Sequence, residues 1–459
     1  MNALHKTCVA AVLGVGLAGM LAPTNAAMSV GGNFWNISWE GTSDFFQSGV
    51  NWATTTNPWN PALLTDCAPY TTLRFMDWCL PLQGSGDNGV WANRTQKTAS
   101  QDMSGDRAVA YEWMIDLCNR TDKDMWICVP TMADTNYSYQ LAQLINNLLE
   151  SGRRVIVEYT NEHWNYNADW YNQQGANMGF SGDATTQGDW YYTYRSVQVW
   201  RQFERVFGSN SPRIVKFLGA FAVNSSVAGH MFAALNNTTT VNPTGVRADA
   251  VGIAPYMRGT DVAGCIAELP NKYQEARNHY TLANRAGVQL MCYEAGFETA
   301  SGSSIASDPA VYGLVRRYLD TLNVAGVVVC NWYTAVGGTS GYQWGAKRTT
   351  GESMSVAHKY RAIYDWMAAH PPVAVERPGL TITTARPRVA VQSTTVKVVV
   401  PGAQAGAVSL FSMNGAVLQS REITSGTALL STGTFGPGCY LLRTTDGATT
   451  PQTQTVVIR

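Results

Sequence analysis

Eight short segments of β-forming residues recur along residues 33–334, with segments of helical spacing between them. Such alternation is typical of a parallel sheet or a closed barrel. Eight units over about 340 residues predict an α/β fold, the TIM (β/α)8 barrel, whose usual size is about 250 residues, so the excess is expected in loops. The predicted strands are NFWNISW from Asn33, TLRFMDW from Thr72, MWICVP from Met125, VIVEYTNE from Val155, IVKFLGAF from Ile214, AVGIAPYM from Ala250, VQLMCYEAG from Val288 and VVVCNWYT from Val327.

The two ends of the chain differ from this central part. Residues 1–27 have a weakly basic start, an apolar segment and small residues near Ala26, which predict a signal peptide. Residues 28–375 form the predicted barrel domain. Residues 376–459 are rich in Val, Thr, Ser and Gly, lack Trp and carry an Asn414-Gly415 hairpin signal, which predicts a small all-β, immunoglobulin-like sandwich.

Charge and composition restrict the partners. Lys+Arg and Asp+Glu both number 32, so the formal charge is zero, and no nucleic-acid partner is expected. No stretch after the signal is long and apolar enough to predict a transmembrane segment. Charged residues make up only 14%, whereas Trp numbers 15, which favours a flat, uncharged ligand. No metal-binding or cofactor motif is present, so neither a metal nor a cofactor is implied.

Nine cysteines leave eight after removal of the signal, and an even number in an exported chain permits disulfides. The pairs nearest in sequence are Cys67 with Cys79 and Cys118 with Cys128. Neither pairing is dictated by the sequence.

Two acidic residues are expected at the mouth of the barrel, where TIM-barrel sites lie. Strand four ends in Asn161-Glu162 and strand seven ends at Glu294. A pair of carboxyls there suits glycoside hydrolysis, in which one protonates the leaving oxygen and the other attacks or stabilises the sugar cation. Arg74 has the parity to point inward and keep Glu294 charged, and Tyr256 is placed to donate to the same carboxylate.

The ordered set of Arg74, Asn161-Glu162, Tyr256, Glu294 in YEAG and Trp332 resembles the clan A glycoside hydrolases, (β/α)8 retaining enzymes that include many cellulases, mannanases and β-1,3-glucanases. The resemblance covers roughly residues 30 to 370. It implies that Glu162 is the general acid/base and Glu294 the nucleophile. It also implies that Trp332 forms the floor of the subsite for the cleaved sugar, and that Asn161 binds its 2-hydroxyl.

Aromatic residues near the strand ends are predicted to stack on sugar rings. Trp164, Tyr166 and Trp170 follow strand four in EHWNYNADW, and Trp78, Trp91 and Trp344 lie near other strand ends. Packing of Trp164 and Trp170 against the barrel is the alternative.

Other residues have less specific expectations. Glu158 shares parity with Glu162 and is expected in a buried ion pair. Glu298 is expected at the surface or just behind the site, with a role as rival nucleophile if strand seven is shifted by four residues. His163 is expected at the surface, and Cys292 and Cys330 inside the barrel.

The function predicted from the sequence is an exported retaining β-glycoside hydrolase, endo-acting, on a neutral, cellulose-like β-glucan or related polysaccharide. A non-catalytic carbohydrate-binding or adhesin-like barrel is the alternative. GAVSLFSMNGAVLQSREI and GPGCYLLRT resemble the C-terminal sorting domains of some Gram-negative secreted proteins, which implies export machinery as a partner and a secreted or cell-surface location. A carbohydrate-binding module is the other possibility for this domain.

Overall fold

The computed structural model describes the barrel region and the strands of the C-terminal domain. The described residues are 28–34, 45–79, 89–101, 108–165, 167–298, 305, 307–337, 344–371, 388–391, 395–399, 405–412, 417–424, 427–431, 438–445 and 452–458. The predicted signal peptide and Tyr166 lie outside them.

Eight parallel strands close into a barrel in chain order, with β1 hydrogen-bonded to both β2 and β8, so the predicted TIM fold is confirmed. The first strand ends at Asn33, where the sequence pattern placed its beginning. The strands are β1 Ser29–Asn33, β2 Thr72–Arg74, β3 Asp124–Val129, β4 Val155–Tyr159, β5 Ile214–Gly219, β6 Ala250–Ile253, β7 Gln289–Ala295 and β8 Val327–Trp332.

Helices follow the strands and cover the barrel. They are α1 Pro61–Asp66, α2 Tyr111–Thr121, α3 Thr135–Leu148, α4 Ala168–Asn177, α5 Ala184–Phe207, α6 Ser226–Leu235, α7 Val262–Ala286, α8 Val311–Ala325 and α9 His358–Ala369. Asp134, Asp183 and Asp261 cap three of them by accepting from backbone N–H groups of the first turn. Within the described part of the chain, none of the helices has the length and apolar character that crossing a bilayer requires.

Alternation along the strands separates two apolar layers. Met291, Tyr293 and Val329 belong to the cluster inside the barrel, together with Trp126 and Phe217. Cys292, Cys330 and Trp332 belong to the layer that includes the helices. The prediction that the two cysteines fill the barrel interior is therefore wrong, because the residues next to them in the sequence point inward.

The four cysteines of the predicted disulfide pairs are buried free thiols. The Cys79 thiol lies 3.9 Å from the Met114 sulfur, and the Cys128 thiol donates to Glu158 over 3.3 Å. Cysteines that are close in the sequence therefore do not form disulfides here, since their side chains contact other residues.

The C-terminal domain is an antiparallel sheet with its own apolar cluster, which includes Val396, Val408, Leu430 and Leu442. The predicted all-β domain is thus confirmed. Its strands pair in the order β15-β14-β11-β12-β13-β10-β9. They are β9 Arg388–Val391, β10 Thr395–Val399, β11 Ala405–Phe411, β12 Val417–Thr424, β13 Thr427–Ser431, β14 Gly438–Thr445 and β15 Gln452–Ile458.

Candidate active site

A buried guanidinium organises the mouth of the barrel. Arg74, at the end of β2, is 0% exposed. It donates from Nε and Nη2 to the two oxygens of Glu158 at 2.9 and 3.0 Å, and from Nη2 to Asn161 Oδ1 at 2.8 Å. From Nη1 it donates to Glu294 Oε1 at 2.8 Å and Asn33 Oδ1 at 3.2 Å. The predicted buried ion pair of Glu158 is confirmed, and Arg74 joins three strand ends into one network.

Glu294, at the end of β7, is the second carboxylate that Arg74 binds. Its other oxygen, Oε2, accepts from the Tyr256 hydroxyl at 2.8 Å, as the sequence predicted. Burial raises the pKa of Glu294 to about 7, and the charge of Glu162 adds to this rise, while Arg74 and Tyr256 lower it. Arg74 does not keep this carboxylate fully ionised at neutral pH, because the desolvation of the buried carboxyl outweighs the attraction of the guanidinium.

This pKa shift predicts a pH dependence of folding. The folded-state pKa lies above the ordinary value of 4.5, so the folded state binds the proton more tightly than the unfolded state. The stabilisation is complete below pH 4.5 and is lost as the pH rises through about 7, with a size of roughly 3 kcal/mol. Urea unfolding at pH 5 and pH 8 measures it. We expect Glu294→Gln to lose less stability over this interval than the parent, and equal losses would contradict the shift.

Glu162 follows β4 and is half-buried. Its Oε1 accepts from the Tyr293 hydroxyl at 2.7 Å, and its Oε2 accepts from Asn165 Nδ2 at 2.9 Å. The backbone of Glu162 has φ 45° and that of Thr160 has φ 55°, both in the left-handed region that few non-glycine residues adopt. The chain therefore turns sharply at the strand end and presents this carboxylate at the mouth.

A local irregularity brings consecutive residues of β7 to the same site. The pairing of β7 with β8 shifts between Cys292 and Ala295. Strict alternation would send Tyr293 and Glu294 to opposite faces of the sheet. With the shift, Tyr293 binds Glu162 and Glu294 binds Arg74. The charge of Glu162 thereby lies close enough to Glu294 to raise the pKa of its carboxyl.

Two aromatic walls flank the carboxylates. On the β4–β5 side, Trp164 lies 6.3 Å from Tyr293 and 6.0 Å from Phe221, between ring centroids, and Phe221 is 37% exposed. On the β6–β8 side, Tyr333 lies 6.1 Å from Tyr256 and 5.5 Å from Trp344. Of the aromatics predicted for ligand stacking, Trp164 and Trp344 lie next to this network.

Three other aromatic residues that were predicted to stack on sugars pack against protein side chains instead. Trp332 is 0% exposed and packs outside the barrel against Tyr318 of α8, because the strand alternation points Asn331 inward in its place. Trp78 is also 0% exposed and lies in an aromatic cluster with Trp59. Trp170 lies in the first turn of α4 and packs edge-on against Tyr171 and Tyr191, as the alternative predicted.

The abundance of Trp is largely explained by packing. At least seven of the fifteen are less than 2% exposed. The composition therefore indicated a ligand surface more strongly than the structure justifies. The fully buried residues are Trp59, Trp78, Trp113, Trp126, Trp200, Trp332 and Trp366.

His163 and Glu298 had been expected at the surface. His163 is 2% exposed, so that expectation is wrong, and its Nε2 hydrogen-bonds to Asp189 at 2.8 Å. The Glu298 side chain is 42% exposed and pairs with Arg258 at 2.7 Å, so it remains at the surface. Because Glu294 itself lies in the network, Glu298 does not replace it as the candidate nucleophile.

Several members of the site were not predicted from the sequence. Asn33 donates from Nδ2 to the Tyr293 carbonyl at 2.8 Å, and Trp126 donates from Nε1 to Glu158 at 2.7 Å. Both lie on strands with the same inward parity as Arg74 and Glu158, which could have identified them. Tyr293 could not be found in this way, since its role depends on the irregular end of β7.

Comparison with known proteins adds a fold-level similarity. No protein-family model and no curated protein matches the chain. Among solved structures, it is similar to an endo-β-1,4-mannanase of glycoside hydrolase family 26 from Cellulomonas fimi, with 15% identity, a TM-score of 0.43, and coverage of 94% of this chain and 93% of that one. It is also similar to a GH5-4 endoglucanase from Clostridium acetobutylicum, at 15% identity and TM-score 0.42, covering 73% and 97%. A family 1 β-glucosidase from Thermotoga maritima has 10% identity and TM-score 0.41, covering 76% and 98%.

Proposed function

We propose that the chain is a retaining β-glycoside hydrolase that cleaves a neutral β-linked polysaccharide. A β-glucan is the favoured substrate, cleaved at internal linkages. The observation that carries this proposal is the pair of carboxylates, Glu162 and Glu294, held by separate hydrogen bonds at the mouth of the barrel. Glu294 is buried and bonded to Arg74 and Tyr256, whereas Glu162 is half-buried and bonded to Tyr293. Two acids in different environments suit two different roles.

Glu294 has the surroundings of a nucleophile. Both its oxygens accept from strong donors, which favour the ionised form. Protonation of Glu162 removes a nearby negative charge and lowers the pKa of Glu294, because that charge is one cause of its elevation. The retaining mechanism requires the proton on Glu162 at the moment when Glu294 attacks the anomeric carbon.

Glu162 then acts as the general acid and afterwards as the general base. It donates its proton to the leaving oxygen while Glu294 forms the glycosyl-enzyme, and it takes a proton from water in the second step. Burial and the charge of Glu294 raise the pKa of Tyr256 well above its ordinary value of 10, so its hydroxyl stays a donor. Asn161 accepts from Arg74 through Oδ1, which leaves its NH2 group for the sugar 2-hydroxyl.

The test of this function is how kcat/KM of the Glu162→Gln variant depends on the leaving group of the substrate. With aryl β-glycosides, kcat/KM reports glycosylation, which needs acid assistance only when the departing phenol is weakly acidic. We expect about 10²- to 10⁴-fold loss for a phenyl glycoside and little loss for a dinitrophenyl glycoside. Equal activity of parent and variant on both would refute the assignment, and binding of glycans without turnover by the parent would favour the adhesin-like alternative.

The aromatic wall beside Glu162 supports a polysaccharide substrate. Trp164 and Phe221 lie on the acid/base side, where the leaving portion of the chain would stack. We expect Trp164→Ala to raise KM for oligosaccharides about 3- to 10-fold, as loss of an aromatic contact predicts. Trp170→Ala is the matched control, since Trp170 packs between helices, and an equal rise in KM there would contradict the stacking role.

We also propose that the chain is exported through residues 1–27 and that residues 376–459 serve sorting or attachment. The support is the sequence pattern at both ends. Expression of the full chain in a Gram-negative host, followed by N-terminal sequencing of secreted protein, tests the first part. A chain retained inside the cell with an intact Met1 would contradict it.

A further inference from the structure

Behind Glu162 lies a chain of two histidines bridged by one carboxylate. His163 Nε2 is 2.8 Å from Asp189 Oδ1, and His230 Nδ1 is 2.8 Å from Asp189 Oδ2. Asp189 lies on α5 and His230 on α6, so the chain joins two helices to the residue after Glu162. The side chains of His163 and Asp189 are 2% and 1% exposed, whereas that of His230 is 34% exposed.

The imidazole of His163 is fixed on several sides. Its ring stacks on Tyr192, with centroids 4.0 Å apart and planes 11° from parallel, and Trp164 meets it edge-on at 4.9 Å. Among the described residues, its Nδ1 is buried and has no hydrogen-bond partner. The hydrogen bond to Asp189 is therefore the polar contact that orients this ring. It favours the tautomer with the proton on Nε2, because an ionised carboxylate can only accept a hydrogen bond.

The backbone beside this ring needs such an anchor. Glu162 has φ 45° and Thr160 has φ 55°. Conformations of this kind persist only when the surroundings fix them. The carboxylate of Glu162 is held by Tyr293 and Asn165, and the backbone of the turn is held by two further hydrogen bonds, from the Asn165 N–H to the Glu162 carbonyl at 2.9 Å and from the Thr160 N–H to the Val129 carbonyl at 3.0 Å. The buried imidazole of His163 is placed to hold the peptide on the far side.

We propose that Asp189, supported by His230, acts through His163 as a positioning residue for the general acid Glu162. This inference rests on the proposed function. Asp189 and His230 contact neither substrate nor reacting atoms in this arrangement. Their role is to keep the Glu162 carboxyl within hydrogen-bonding reach of the leaving oxygen, where displacement of about 1 Å can cost about 10²-fold in rate.

The experiment is kcat/KM of Asp189→Asn on two aryl glycosides of the same sugar. Misplacement of the acid affects a poor leaving group selectively, whereas general damage to the site affects both. We expect about 10²-fold loss on the phenyl glycoside and less than about 3-fold loss on the dinitrophenyl glycoside. Asp134→Asn is the matched control, because Asp134 caps α3 by accepting from the Tyr137 N–H, and asparagine caps a helix equally well.

Two further variants test the same role in case Asp189→Asn does not fold. His163→Phe keeps a ring to stack on Tyr192 but removes the hydrogen bond, and the same selective loss is expected. His230→Ala frees one oxygen of Asp189, and a smaller selective loss is expected. Equal losses on both glycosides, or no loss in His163→Phe, would overturn the inference.

Failure of the proposed function gives a different result, because the parent would then hydrolyse neither glycoside. The positioning role can still be decided in that case from a crystal structure of Asp189→Asn. Displacement of the Glu162 carboxylate from the Tyr293 hydroxyl supports it. Retention of the 2.7 Å bond and of the Glu162 backbone turn overturns it.

Discussion

Glu294→Gln is expected to lower kcat on any β-glycoside that the parent hydrolyses by at least about 10⁴-fold, since the covalent step loses its nucleophile. The fold should survive, because the amide oxygen can still accept from Arg74 and the amide nitrogen can donate to the Tyr256 oxygen. Steady-state kinetics with a circular-dichroism spectrum of the variant provide the measurement. A folded variant with activity near that of the parent would refute the role of Glu294.

The matched control is Glu298→Gln, four residues further along. Its carboxylate pairs with Arg258 at the surface, and surface ion pairs contribute about 0–1 kcal/mol, so little change in activity or stability is expected.

Rescue of inactive variants by azide distinguishes the two catalytic roles. With Glu294→Ala, azide should restore turnover and give the α-glycosyl azide, whereas with Glu162→Ala and a dinitrophenyl glycoside it should give the β-glycosyl azide. The opposite pattern would exchange the two assignments.

Arg74→Leu is expected to cause the largest loss of stability, about 3–5 kcal/mol, because removing one partner of a buried ion pair leaves the other charge uncompensated. Glu158 is 0% exposed, and among the described residues its oxygens would retain the Trp126 and Cys128 donors alone. The free energy of unfolding in urea measures this loss.

A double variant tests the physical reason. Arg74→Leu with Glu158→Leu removes both charges and should recover part of the stability lost in Arg74→Leu, since an apolar pair needs no compensation. Arg258→Leu is the control, because its partner Glu298 is exposed and the loss should stay below about 1 kcal/mol. An Arg74→Leu variant no less stable than Arg258→Leu would show that the buried network contributes little to the fold.

Period-two alternation made part of this site predictable. Arg74 and Glu158 face the barrel interior and form an ion pair, as their positions on short strands required. The ends of β4 and β7 carry the two carboxylates, because parallel barrel strands end at the same rim. These are local properties of strands, and the order of residues is enough to reveal them.

Other parts of the site depended on contacts that no local pattern encodes. The shifted pairing at the end of β7 placed Tyr293 against Glu162. Alternation along β8 placed Trp332 outside the barrel, although the resemblance to known glycosidases had assigned it to the sugar site. His163 was expected at the surface, yet it is 2% exposed, hydrogen-bonded to Asp189 and stacked on Tyr192, which lie 26 and 29 residues away.

The sequence by itself determined the eightfold alternation, the all-β C-terminal domain and the positions of the acidic residues, because secondary-structure periodicity and residue type suffice for these. Only the tertiary structure decided which aromatic residues remain open to a ligand and how strongly Glu294 holds its proton. Burial and electrostatic coupling belong to the packed arrangement of all neighbours, and residues far apart in the chain contribute to both.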